Sequence, residues 1–363
     1  MSGVKCTDNQ TGKSYYTERE WLRIQSKEQE EKKKLRRLGL ILGLLAAFTA
    51  LLIFLVYYFV IRSHDYTLSL PYDRSDAVYG VQSLNLHSQT ADSFAEDLCV
   101  TTGDVNTDQI ALASYSAGLF DLNQKEVSYA RDIFTQRSPA SITKIMTALV
   151  ALKYGNLDDQ VTVTETAKDI EYGSSVCDIQ VGDVLSLRQL VYGLLIASGN
   201  DAAMMIAEHV GGSVDQFVAL MNEEAAALGA TDTHFMNPHG LTAEGHYTSV
   251  YDIYLMFNAA LEYDVFQDAI SRTNYYAEYT RGDGSAVAVT WESTDWYFSG
   301  AAEAPDGVTV FGGKTGTTDD AGNCLALMSK DQYGNPYLSI ILHADTKDSL
   351  YEEMNQLLSL IEN

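Results

Sequence analysis

Ser141-Ile-Thr-Lys144 places a hydroxyl and an amine three residues apart, about 300° around a helix and so nearly on one face, one turn apart. A lysine closed in by apolar neighbours loses its proton readily, and a neutral amine beside a serine can take the hydroxyl proton and make Ser141 a nucleophile. The start of such a helix would add backbone N–H groups and positive potential at Ser141. Chance supplies about one S-x-x-K in a chain of this size, and Ser2-Gly-Val-Lys5 is another. Ser198-Gly199-Asn200 follows 57 residues later, where the apolar run LVYGLLIA ends. A hydroxyl and an amide at such a break can relay a proton and hold a substrate amide; alone, the tripeptide reads as a turn that ends a helix. Lys314-Thr315-Gly316-Thr317 lies 116 residues beyond Ser198, after a run with strand character. Lysine gives a fixed positive charge, threonine a hydroxyl donor for a carboxylate, and glycine lets a substrate backbone lie against the strand.

The elements that must position these residues follow from periodicity. Ile110–Phe120 and Glu126–Tyr129 read as strands joined by a turn over Asp121-Leu122-Asn123-Gln124. The period then changes: Ser141–Lys153 sets Ile142, Ile145, Met146, Leu149 and Leu152 at helical spacing, with Pro139 just before. Ser186-Leu-Arg-Gln189 and Ser213-Val-Asp-Gln216 fit capping boxes that open apolar helical runs, the second closing at Gly229. Late in the chain Val308–Phe311, Cys324–Met328 and Tyr337–His343 read as strands, and Leu350, Met354, Leu357, Leu358 and Ile361 share one helical face. Strands, a helical middle, strands and a final helix predict an α/β (α+β) fold: an antiparallel sheet built from both ends of the chain, flanked by helices, with an inserted helical subdomain.

Charge divides the chain. Of 24 Lys+Arg and 49 Asp+Glu among 363 residues, the first 62 residues hold 11 and 6, so that the net charge of -25 splits into +5 and -30. The acidic remainder repels phosphates and excludes a general nucleic-acid binder. At the boundary, Leu38–Ile61 runs 24 residues without a charge, long enough at about 1.5 Å per helical residue to cross a hydrocarbon core of about 30 Å. Lys32, Lys33, Lys34, Arg36 and Arg37 precede it, and Tyr57, Tyr58 and Phe59 close it as an interfacial belt. The run is longer than a signal-peptide core and predicts an uncleaved single-pass anchor in the cell membrane, N-terminus cytoplasmic and the rest extracytoplasmic. The expected organisation is a cytoplasmic tail over 1–37, a transmembrane helix over 38–61, a stalk over 62–105 and a catalytic domain over 106–363. Cys6, Cys99, Cys177 and Cys324 show no metal-binding spacing, and Cys6 would lie in the reducing compartment, apart from the other three.

S-x-x-K, S-x-N and K-T-G in this order resemble the signature of penicillin-recognising serine enzymes. RSPASITKIMTAL, LLIASGNDAA, NPHGL, HYTSVYD and GGKTGTTDDAG, spread over 137–322, are similar to the low-molecular-mass penicillin-binding proteins that act as D-alanyl-D-alanine carboxypeptidases. The resemblance covers about 108–345 and implies a β-lactamase/transpeptidase-like fold. It implies Ser141 as the acylated nucleophile, Lys144 as its base, and Ser198 and Asn200 on the proton-relay side. Lys314, Thr315 and Thr317 would hold the terminal carboxylate of the substrate, whose backbone would lie against Gly316, and the N–H groups of Ser141 and Thr317 would form the oxyanion hole. The implied substrates are peptidoglycan stem peptides, with β-lactams as covalent inhibitors and no cofactor or metal.

Other classes fit less well. A P-loop needs glycine at 308, where Val308 stands. A metallopeptidase needs H-E-x-x-H or its equivalent, whereas His234, His239 and His246 are spaced along a loop-like stretch that they would organise. A serine β-lactamase needs a further carboxylate to activate the deacylating water, and no E-x-x-L-N occurs between Asn200 and Lys314. A non-catalytic penicillin-sensing or wall-binding domain would be expected to have lost one of three elements that are all intact here. Cys324, ten residues past Lys314, reads as a buried core cysteine.

Overall fold

A computed structural model describes residues 18–61 and 97–361. The chain forms two compact units, 1–89 and 90–363. In the first, helix α1 (Glu18–Ile61) continues through both the charged stretch and the apolar run. Many side chains of 38–61 lie outside the described residues, as do 1–17 and the greater part of the expected stalk, 62–96. Among the described residues no helix is long and apolar enough to cross a membrane.

The second unit begins earlier than 106. Cys99 is buried, its N–H donates to Tyr254 Oη at 2.8 Å, and Tyr251 Oη donates to its carbonyl at 2.9 Å. Val105 pairs with Ala130. Residues 97–105 therefore lie on the folded unit.

Its main sheet is antiparallel and five-stranded: β1 (Ser116–Asp121), β2 (Glu126–Arg131), β7 (Thr309–Thr318), β8 (Gly322–Lys330) and β9 (Pro336–Ala344), in the order β2-β1-β9-β8-β7. Both ends of the chain build it, as the element order predicts. Strand alternation divides the core: Cys324, Ala326, Leu338 and Ile340 face the helical side, and Leu325, Leu327 and Ile341 face α9 (Lys347–Leu358), which packs Leu350, Met354 and Leu357 against them. The expected first strand is shorter than the apolar pattern: β1 begins at Ser116, Tyr115 N–H still donates to the carbonyl of His343 on β9, and Ser114 N–H turns away to Glu353 Oε2.

The inserted helical region comprises α2 (Lys144–Tyr154), α3 (Leu187–Ile196), α4 (Asn200–Gly211), α5 (Val214–Ala227), α6 (Val250–Ala260) and α7 (Asp264–Ile270). Ser186 and Gln189 close the reciprocal capping box expected of them, and Ser213 accepts the Gln216 N–H. A second antiparallel sheet, β3 (Gln160–Thr162), β4 (Val184–Ser186), β5 (Asn274–Thr280) and β6 (Ala286–Glu292), borders these helices, and the short α8 (Trp296–Ser299) follows β6. The elements expected above do not include it: β3 and β4, three residues each, are too short for an alternation to register, although β5 and β6, seven residues each, do alternate.

Candidate active site

Ser141 does not open a regular α-helix. Residues Ala140–Thr143 form a 3-10 turn that runs directly into α2, whose first residue is Lys144. The turn is held in an uncommon conformation, with Ala140 at φ 47°. Thr143 Oγ1 donates to the Ala140 carbonyl at 2.8 Å, and His246 Nε2 lies 2.9 Å from Thr143 Oγ1. Since His246 Nδ1 accepts the Met236 N–H at 2.9 Å, its proton sits on Nε2 and points at Thr143, completing a chain of hydrogen bonds into the turn that carries Ser141. Gly240 is forced by contact: a Cβ there would lie 1.9 Å from the Ala140 carbonyl oxygen.

Lys144 is fully buried, with Nζ 2.8 Å from Ser141 Oγ, 2.7 Å from Asn200 Oδ1 and 2.7 Å from the His239 carbonyl. Burial, and then the neighbouring Lys314, hold its pKa well below the usual lysine range, with Cys177 and Asp201 opposing the shift. A neutral amine has two hydrogens and one lone pair. Asn200 Oδ1 and the His239 carbonyl can only accept and take the two hydrogens, which leaves the lone pair for the Ser141 hydroxyl proton.

Ser198 and Asn200 flank Gly199, the N-cap of α4. Ser198 is buried at φ 57°, and its Oγ accepts from Lys314 Nζ at 2.9 Å. Lys314 also donates to the Thr315 carbonyl at 2.9 Å. Burial lowers its pKa to about 7 against the pull of Asp295. The Ser198–Asn200 turn thus joins two buried lysines, one through each residue. Strand β7 comes up against the Ala140–Thr143 turn at Gly316, where a Cβ would meet the backbone nitrogens of Ser141 and Ile142 at 2.9 and 3.1 Å.

The structure therefore gathers Ser141, Lys144, Ser198, Asn200, Lys314 and Gly316 into one site. The hydroxyls of Thr315 and Thr317 bond instead to Thr294 and to Asn323 Oδ1. The histidines organise the loop: His239 supplies its carbonyl, His246 supports Thr143, and His234 bonds the Gly245 carbonyl. Burial pushes the His239 and His246 pKa values down to about 3 and about 4. Cys99, Cys177 and Cys324 are free thiols, all buried. Three contributors were not legible beforehand: the His239 carbonyl, which as a backbone group leaves no mark in residue type, and the carboxylates of Asp201 and Asp295. The adjacency of Asp201 to the S-G-N element was the one available signal.

The family model for D-alanyl-D-alanine carboxypeptidase, peptidase S11, matches residues 103–346. The chain belongs to this family. Among curated relatives it is 34% identical over 247 residues to D-alanyl-D-alanine carboxypeptidase DacF of Bacillus subtilis, covering 66% of this chain and 59% of that protein. It is 32% identical over 253 residues to DacA of Escherichia coli, covering 66% and 58%. The match thus spans less than two thirds of the length of these curated relatives. Among solved structures, the Streptomyces K15 DD-transpeptidase superimposes with a TM-score of 0.64 at 27% identity, over 69% of this chain and 97% of that one. DacD of Francisella tularensis does so with a TM-score of 0.59 at 25% identity, over 73% of each chain. The mixed α/β transpeptidase-like architecture is therefore that of the family.

Proposed function

We propose that this protein is a serine D-alanyl-D-alanine carboxypeptidase that trims the terminal D-alanine from peptidoglycan stem peptides and is acylated by β-lactams. The observation that carries the reading is the hydrogen-bond set of buried Lys144, whose Nζ reaches Ser141 Oγ, Asn200 Oδ1 and the His239 carbonyl; once neutral, it would give its two hydrogens to the last two and keep its lone pair for Ser141. In the acylation step Lys144 takes the hydroxyl proton as Ser141 Oγ attacks the carbonyl carbon of the penultimate residue. The C–N bond to the last D-alanine breaks, and the leaving amine receives a proton passed through Ser198. Water then attacks the ester and restores the serine. The N–H groups of Ser141 and Thr317 would carry the developing oxyanion, and protonated Lys314 would pair with the terminal carboxylate. A β-lactam follows the same path, with its leaving amine still tethered in the opened ring.

D-alanine release from a stem peptide ending in D-Ala-D-Ala tests this reading, together with the lifetime of the penicilloyl adduct. The proposal expects stoichiometric D-alanine release and an adduct that persists for minutes or longer. Rapid multiple turnover of a chromogenic cephalosporin would favour the β-lactamase reading instead.

The uncharged run of 38–61, with its basic flank, supports a single membrane anchor and a catalytic domain outside the cytoplasm. The expected result is that protease added to intact protoplasts removes the domain and leaves a small N-terminal fragment. A mature chain beginning near residue 64 would show that the run is cleaved as a signal.

A further inference from the structure

The wall behind the Ser198–Asn200 turn is an extended segment, Ser175–Ile179, that belongs to no helix or sheet. The Ser175 carbonyl accepts the Asn200 N–H at 2.8 Å, filling one of the donor positions that the start of α4 leaves open. Asp201, 3% exposed, turns its carboxylate back on the same segment: Oδ1 accepts the Cys177 N–H at 2.8 Å, and Oδ2 the Ile179 N–H at 3.2 Å. Oδ1 also takes the Ala202 N–H at 2.8 Å. Between these ties the Cys177 thiol packs onto two glycines, Gly193 and Gly199, where a Cβ would stand 2.5 and 2.4 Å from the sulfur. Trp291 Nε1 donates to the Cys177 carbonyl at 3.1 Å and fixes the segment from β6.

We infer that Asp201 is a positioning residue for acylation, clamping the Ser175–Ile179 segment onto the Ser198-Gly199-Asn200 turn so that Ser198 and Asn200 keep their hold on the two lysines. Ser198 is a non-glycine residue in the left-handed region, a conformation that persists only where surrounding contacts over-determine it. The clamp supplies those contacts. A carboxylate is required because it can accept all three N–H groups, whereas an asparagine side chain presents NH2 to one of them.

The inference deepens the proposed acylation at Ser141 and rests on it. The groups facing Lys144 are Lys314 from β7, Cys177 from the clamped segment, Asp201 from α4, and His239 from the loop before α6. Asp201→Asn removes the one carboxylate among them, so Lys144 loses its proton more easily and the acid limb of acylation moves to lower pH.

The test compares wild type, Asp201→Asn and Leu350→Ala in the full chain. It reads penicillin acylation rate against pH, and hydrogen exchange at the Cys177 and Ile179 amides. Leu350→Ala weakens the core under α9, away from the site, and controls for lost stability alone. Asp201→Asn is expected to slow acylation about tenfold or more at neutral pH, to move its acid limb down, and to speed exchange of both amides about tenfold. Leu350→Ala should leave the limb in place. An Asp201→Asn variant with wild-type rate and limb, or one that changes only as Leu350→Ala does, overturns the inference while leaving Ser141 acylation standing. A wild-type protein that takes no penicillin overturns both. Should Asp201→Asn fail to fold, Trp291→Phe loosens the same segment from β6; faster exchange at Cys177 with slower acylation supports the clamp, and faster exchange with unchanged acylation refutes it.

Discussion

A Cβ on Gly316 would stand 2.9 Å from the backbone nitrogen of Ser141. Strand β7 and the turn that carries Ser141 therefore approach too closely for a side chain at 316. The S-x-x-K and K-T-G elements, 170 residues apart in the chain, form one piece of machinery because this glycine lets them meet.

Gly316→Ala is accordingly expected to push the turn away from β7, with about 1–3 kcal/mol lost to overpacking and acylation slowed about a hundredfold by misplacement of the serine. The second-order rate of penicillin acylation, corrected for folded fraction by thermal melting, checks it. A variant that melts lower but acylates normally would show that the contact serves the fold alone.

Acylation should be bell-shaped in pH. Lys144 must be neutral to accept the serine proton, and burial beside Lys314 already holds its pKa well below the usual lysine range. Lys314 must be charged to bind a carboxylate, and its pKa is lowered to about 7. The rate therefore rises as Lys144 deprotonates and falls above about pH 7 as free Lys314 does, and kcat/KM measured across pH reports both groups in the free enzyme. A rate that climbs steadily to pH 10 would mean that neither lysine is tuned in this way.

Stability should fall on acidification through His246. Its pKa is about 4 in the folded protein against 6.5 for an ordinary histidine. The unfolded chain thus binds the extra proton first. The contribution is fully present above about pH 6.5 and is lost progressively toward pH 4, on the order of 3 kcal/mol at that point. The structural cause is burial, with His234 adding a smaller push in the same direction; Nδ1 also accepts the Met236 N–H, a bond that protonation there would break. Melting temperature against pH for wild type and His246→Asn tests this: the variant should begin less stable and lose less between pH 6.5 and 4. Parallel curves for the two proteins would remove His246 as a cause.

What the sequence disclosed and what it concealed have physical reasons. Ser141, Lys144, Ser198, Asn200 and Lys314 were legible because each is a chemical group whose type cannot be exchanged without loss, set in short motifs that survive separation along the chain. The five-stranded sheet was legible because its strands carry continuous apolar runs, as in Cys324–Met328, buried on both faces. In the four-stranded sheet only β3 and β4 were hidden by their brevity; β5 and β6 alternate, at Tyr275, Ala277 and Tyr279 and at Val287, Val289 and Trp291. The 3-10 turn at Ala140–Thr143 was hidden because Ile142 and Ile145 satisfy a helical period whether or not the first turn is tightened. The His239 carbonyl and the Asp201 clamp were hidden because they act through backbone groups brought in by tertiary contact, from 95 residues away in the first case.

The most direct measurement is mapping of the residue modified by a fluorescent penicillin, by peptide mass analysis, in wild type, Ser141→Ala and Lys144→Ala. One acyl group on the Ser141 peptide is expected in wild type and none in Ser141→Ala. Lys144→Ala should fold and be acylated at least about a hundredfold more slowly. Labelling that persists in Ser141→Ala, or that maps to another residue in the wild type, would contradict the assignment of Ser141 as the nucleophile.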